Sequence, residues 1–167
     1  MLLQNRMMAH AEFSSIDVYR MKAAFIYNFT KFIAWPVHAS AHDPGQLTLC
    51  IPPQALVREA FASIEGKNVQ EKRLVLKPLT SADDAHACHI LFIHVVRAEE
   101  IVQVISPIQN MPIVIIGEQE NIRPYGGMIH FLVIEDEIWF MINAEAVKQA
   151  GLTMSSTLLQ LAYRPQP

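Results

Sequence analysis

The side chains able to do chemistry are seven histidines, two cysteines and a scatter of carboxylates, and their spacing decides what they could do together. His86 and His89 are three apart with Cys88 between them. They fall at the start of an apolar run, where strand alternation sends Cys88 and His89 to opposite faces, so they make a poor metal pair. His94 and His130 lie in other strand-like runs, His38 and His42 in a turn-rich loop and His10 near the start. No H-E-x-x-H or paired Cys/His pattern forms, and no metal site is expected. Hydrolytic chemistry is equally unsupported: there is no G-x-S-x-G elbow, and the serines cluster at loops and helix starts.

The carboxylates Asp83, Asp84, Glu99, Glu100, Glu118 and Glu120 read as solvated faces and turns, with nothing to set two of them in one cleft. A phosphate site would need glycines after the first strand, where backbone amides can approach a pyrophosphate. The chain instead has Cys50-Ile51-Pro52-Pro53-Gln54, whose prolines remove two donors. Gly126-Gly127 precedes a strand and reads as a tight turn needing positive φ. No catalytic or cofactor-binding residue is expected.

Cys50 and Cys88 leave two alternatives open. In a common doubly wound strand order their strands are neighbours about 5 Å apart. A bridge closing a loop of about 38 residues would then stabilise the fold by about 4 kcal/mol in the chain-entropy model. Two buried, reduced thiols satisfy the same pattern in a reducing compartment.

The elements that must position these groups follow from periodicity. Residues 17–34 predict a helix with Asp17 as N-cap and Val18, Met21, Phe25, Phe29 and Phe32 as its apolar stripe, ended by Trp35-Pro36. Asn28, beside that stripe, is expected to bond a neighbouring backbone group. A turn-rich loop over 36–45 follows. Strands are predicted at 47–51, 73–79, 88–95 and 112–117, with helices at 54–64 and 98–109 between them. Two further runs, 128–134 and 137–142, separated by Glu135-Asp136, predict an antiparallel hairpin. Asn143 should cap a helix over 144–150 that stops at Gly151, and Ser155 a second one over 158–162. The expected fold is α/β: a Rossmann-like, mostly parallel sheet with helices on both faces and an antiparallel C-terminal hairpin.

At 167 residues and 51% hydrophobic, the chain can bury roughly 70% of its unfolded surface without a metal or a dense disulfide framework. Thirteen Lys and Arg against sixteen Asp and Glu leave nothing to neutralise a phosphate backbone, so nucleic acid is not an expected partner. No apolar run approaches the roughly 18 residues of a membrane span. Low charge with a high apolar fraction suggests self-association, and a homodimer is the expectation. Ala9-His10-Ala11 has the form of a signal-peptide cleavage site, but 1–8 is too short and polar for an apolar core. Residues 1–16 are therefore read as a tail or the remnant of a signal peptide, and 17–164 as a single domain.

Six segments together resemble the YfiR family: 18–36 (VYRMKAAFIYNFTKFIAWP), 49–51 (LCI), 88–93 (CHILFI), 126–129 (GGMI), 140–143 (FMIN) and 150–162 (AGLTMSSTLLQLA). The resemblance implies an exported periplasmic protein similar to repressors of membrane-bound diguanylate cyclases, binding the cyclase's periplasmic domain and lowering cyclic di-GMP output. It also implies an outer-membrane lipoprotein that can sequester the repressor. An oxidising compartment then selects a Cys50–Cys88 disulfide over free thiols. Better-known members carry a second cysteine pair after the fourth strand; residues 118–125 contain none, so no second bridge is expected here. The competing expectation is a small-ligand binder or enzyme using the crevice at the carboxyl ends of the parallel strands, with Pro52, Pro53, Glu118 and Asn121 at its mouth.

Overall fold

The structure, a computed structural model, describes residues 15–40, 43–94 and 97–165. His10, His42 and the 9–11 motif lie outside the described residues, as does the last predicted residue of the 88–95 strand.

Five parallel strands form the centre of the molecule: β2 (Gln46–Ile51), β4 (Lys72–Pro78), β5 (Ile90–Ile93), β6 (Val114–Gly117) and β7 (Ile129–Ile134). Their spatial order is β4-β2-β5-β6-β7, so the first and third strands in sequence lie side by side. An antiparallel strand closes each end: the two-residue β3 (Asn68–Val69) beside β4, and β8 (Glu137–Ile142) beside β7. The predicted hairpin forms through Glu135 and Asp136, both at positive φ (50° and 64°), which is the geometry of a tight two-residue turn.

β5 and β6 are buried on both faces along their whole length, which is why each reads as a short continuous apolar run. Alternation then splits each run. Leu49, Ile51, Ile90, Phe92, Val114 and Ile116 join the core beneath α1 (Ser15–Thr30), α2 (Ala55–Phe61), α4 (Ala144–Gln149) and α5 (Ser156–Leu161). Cys50, Leu91, Ile93 and Ile115 join a smaller core on the other face. That face is covered by α3 (Ala98–Ile105) and three short 3-10 segments, Ala82–Ala87, Ser106–Ile108 and Glu120–Tyr125. Helices therefore lie on both faces, as expected, but unequally.

The first helix differs from expectation at both ends. It starts at Ser15, which puts Asp17 inside the first turn, where its carboxylate pairs with Arg20 at 3.3 Å. It stops at Thr30, four residues before the predicted end. The Gln70 side chain, from the β3–β4 turn, donates to the carbonyls of Thr30 (2.7 Å) and Ile33 (2.9 Å). Ile33–Ala34 then becomes β1, antiparallel to β9 (Thr153–Met154). A distant side chain and a distant strand thus replace the helical hydrogen bonds that local sequence would have continued. The buried face is also rotated: Ala23, Ile26, Phe29 and Thr30 are buried, Val18, Phe25 and Phe32 only half-buried, and Met21 is 40% exposed. Asn28 accepts from the Lys31 ammonium (3.1 Å), not from the backbone group expected.

The closing caps form as read. Asn143 Oδ1 accepts from the Ala146 amide and Ser155 Oγ from the Leu158 amide, each at 3.3 Å.

Candidate functional site

Adjacent parallel strands in register carry the residues just past their ends together. Ile93 of β5 pairs with Gly117 of β6, so His94 and Glu118, one residue beyond each strand, are neighbours. The His94 imidazole contacts the Glu118 carboxylate through Nδ1. On α1, Tyr19 and Lys22 are three residues apart and so project from one face of the helix. Lys22 Nζ pairs with Glu118 Oε1 at 3.1 Å, both side chains being only 12% exposed. The Tyr19 hydroxyl lies 3.4 Å from His94 Nδ1. Burial, reinforced by the charge of Glu118 and a hydrogen bond to it, pushes the Tyr19 phenol up to about 12, so it stays protonated at any physiological pH. Lys22 and His94 thus meet on one carboxylate with the Tyr19 hydroxyl beside them, which ties α1 to the carboxyl end of the sheet.

Beside this cluster a crevice of about 310 Å³ opens where the chain leaving β2 and the chain leaving β5 part toward opposite faces. Its walls include Pro52 and Pro53 after β2, Thr80 and Ser81 after β4, Phe92 to His94 at the end of β5, and Glu100, Gln103 and Val104 of α3. This is the topological switch point, where open α/β sheets place their ligands. A larger groove of about 640 Å³ runs between α2 and β4, lined by Ile51, Arg58, Glu59, Glu65 and Leu76 among others. The Glu65 carboxylate accepts from the Leu76 amide (2.7 Å) there, blunting an unpaired stretch of strand edge.

Glu118 was expected on a solvated turn and is instead nearly buried, because β6 is central and its exit is roofed by α1. It belongs behind His94, whereas Pro52 and Pro53 do line the crevice and Asn121 does not. Sequence reasoning missed Tyr19, Lys22 and the role of His94; the available signal was their position just past two buried strands and at helical spacing beside an apolar stripe. The other carboxylates behave as anticipated, with one refinement: Asp84 accepts from Thr80 and Ser81 in a capping box, which holds its carboxyl below the usual range.

Two of the other described histidines, His89 and His130, are buried in the fold. Buried His89 accepts from the Thr48 amide through Nδ1 (3.0 Å) and lies edge-on to Trp35, away from Cys88. His38 and His86 lie in 3-10 segments, and buried His130 lies within β7. No cluster of three or more metal-ligating side chains occurs among the described residues. Cys50 and Cys88 are joined by a disulfide with Cα atoms 5.8 Å apart. Of the two glycines read as a turn, only Gly126 needs its positive φ (103°); Gly127 is required because a Cβ there would meet Ile122 at 2.4 Å.

At the far edge of the sheet, β8 and its surroundings expose Val133 (68%), Trp139 and Leu161. Tyr163 rests edge-on against Trp139 and donates its amide to the Phe140 carbonyl (2.8 Å). Among the described residues no helix is long and apolar enough to cross a membrane.

No sequence among curated proteins matches this chain. A solved structure of a conserved domain protein from Vibrio cholerae O1 biovar El Tor is similar over 86% of the chain, with a TM-score of 0.54 and 12% identity, a likeness of fold alone. The chain spans 58% of that protein's length. The family model described as YfiR/HmsC-like matches residues 19–163, from the Tyr19 of the convergent cluster to the Tyr163 that packs on Trp139. The chain therefore belongs to the YfiR/HmsC-like family.

Proposed function

We propose that this protein is a periplasmic regulator that represses a membrane-bound diguanylate cyclase by binding its periplasmic sensor domain, lowering cyclic di-GMP in the cytoplasm. The observation that carries this reading is family membership across 19–163. A disulfide within the fold is consistent with an oxidising compartment. A repressor shifts its target only through differential affinity for two states, so it needs a matched surface and no catalytic residue. An outer-membrane lipoprotein that sequesters the repressor, self-association into a homodimer, and export to the periplasm complete the proposal.

Complementation tests it. Deleting the gene should raise cyclic di-GMP and surface attachment; an exported copy should reverse both and a copy confined to the cytoplasm should not. Equal rescue by the cytoplasmic copy would overturn the periplasmic reading. Capture of the cyclase's periplasmic domain should depend weakly on salt, because a net charge of -3 steers association little.

A further inference from the structure

We infer that the end of the sheet where β2 and β4 begin is a surface that settles on an anionic lipid bilayer, distinct from the surface that meets a protein partner. Charge is divided along the strand direction. Past the carboxyl ends of β4, β5 and β6 stand Asp83, Asp84, Glu99, Glu100 and Glu118. Cations at that end are paired with them: Lys77 with Asp84, Arg97 with Glu99 and Glu100, Lys22 with Glu118. At the amino ends the balance reverses. Lys31 follows α1, and Lys67, Lys72 and Arg73 flank the β3–β4 turn. The carboxylates there are Glu71, in the turn itself, and Asp43, which accepts from the Gly45 amide at 2.8 Å. Among the described residues no carboxylate lies within ion-pair distance of Lys31, Lys67 or Arg73.

Packing holds these cations in one rim. Gln70 ties the hairpin turn to the carbonyls of Thr30 and Ile33, and the Tyr27 hydroxyl donates to the Asn68 carbonyl at 3.4 Å. The Lys31 and Lys67 ammoniums both stand on the Tyr27 ring, 4.5 and 4.8 Å from its centre. Two like charges are therefore fixed beside each other with no anion between them, which costs energy in water and is relieved by a negatively charged surface. Beside the rim, Val37 is 96% exposed, the most of any large apolar side chain described. It follows half-buried Trp35, whose indole donates to the His89 carbonyl at 3.1 Å and so anchors the segment to the start of β5. Cations at a surface with an apolar tip projecting beside them match phosphate head groups with the acyl layer beneath. A soluble anion or an acidic protein surface answers the lysines alone and leaves Val37 in water.

Vesicle flotation with the full chain tests this, comparing phosphatidylcholine alone with phosphatidylcholine and phosphatidylglycerol in equal parts. Binding should require phosphatidylglycerol and fall steeply with added salt, unlike capture of a protein partner. Lys31→Gln and Lys67→Gln should each weaken it about fivefold. Val37→Asp should weaken it at least as much, Glu71→Gln should strengthen it, and Arg97→Gln at the opposite end should leave it unchanged. All five side chains are exposed, so thermal unfolding should match that of the unaltered chain. No flotation with either lipid, indifference to phosphatidylglycerol, undiminished binding when K31Q and K67Q are combined, or an equal loss in R97Q would each overturn the inference. Full binding by V37D, or complete displacement by millimolar inorganic phosphate, would overturn it too and assign the rim to a soluble anion.

Discussion

The two faces of the central sheet are held by different means. On one, four helices lie over a core built around Phe29, Phe61, Phe92, Phe131 and Phe140, whose rings meet at centroid distances of 4.6–6.4 Å. On the other, a single α-helix and three 3-10 segments cover a few aliphatic side chains, and there the chain places its disulfide and its closest glycine packing. Where side chains can bury enough apolar area, packing suffices. Where the cover is thin, covalent linkage and close backbone approach take over part of the work.

Substitutions that attack one face at a time should sharpen this contrast. The largest loss is expected from Phe61→Ala, which empties a fully buried ring position stacked at 5.3 Å on Phe92; urea unfolding should show a cost of about 3–5 kcal/mol. Next comes the thin face: Cys50→Ala with Cys88→Ala should cost up to about 4 kcal/mol by loop entropy. Hydrogen exchange in that double variant should rise in α3 and in the 3-10 segment Ala82–Ala87 more than in α1. Equal loosening of both faces would erase the distinction drawn between them.

A smaller effect is expected at Gly127. Adding a methyl group drives it into Ile122, so Gly127→Ala should destabilise by about 1–3 kcal/mol. Combined with Ile122→Val, it should cost less than the two single changes added together, which a double-mutant cycle measures.

The smallest effect is a pH slope carried by His130. Burial is the main cause that holds its imidazole below the usual 6.5; Arg123 adds to the depression and Glu120 opposes it. The unfolded chain then binds the proton more readily than the folded one, so stability should decline as pH falls from about 6.5 toward the depressed folded value. His130→Gln should flatten that segment of the stability–pH curve. An unchanged slope in H130Q would assign it to another group.

Much of the architecture was readable because parallel strands buried on both faces must be short apolar runs and helix caps need short polar side chains. Ile90 to Ile93, Val114 to Gly117, Asn143 and Ser155 all obey those local rules. The first helix departs from its local pattern where local rules yield to distant groups. Nothing in 31–34 announces that Gln70 will take two of the nearby carbonyls or that Thr153–Met154 will pair with Ile33–Ala34. The 3-10 segments likewise lie unmarked inside predicted helices and loops, since a hydrogen-bond shift of one residue leaves no compositional mark.

The sequence by itself determined the alternation of strands and helices, the hairpin at Glu135-Asp136 and the absence of a phosphate-binding turn after β2. These depend on side-chain period, turn residues and missing amide donors, all properties of neighbours along the chain. Only the tertiary structure decided that Tyr19, Lys22, His94 and Glu118 meet, and that a crevice opens beside them. Their meeting depends on strand order and on the β5–β6 register, which bring together positions up to 99 residues apart in the chain, from 19 to 118. A carboxylate that local pattern assigns to solvent is buried because a helix from the far end of the sequence lies over it and brings the lysine that balances its charge.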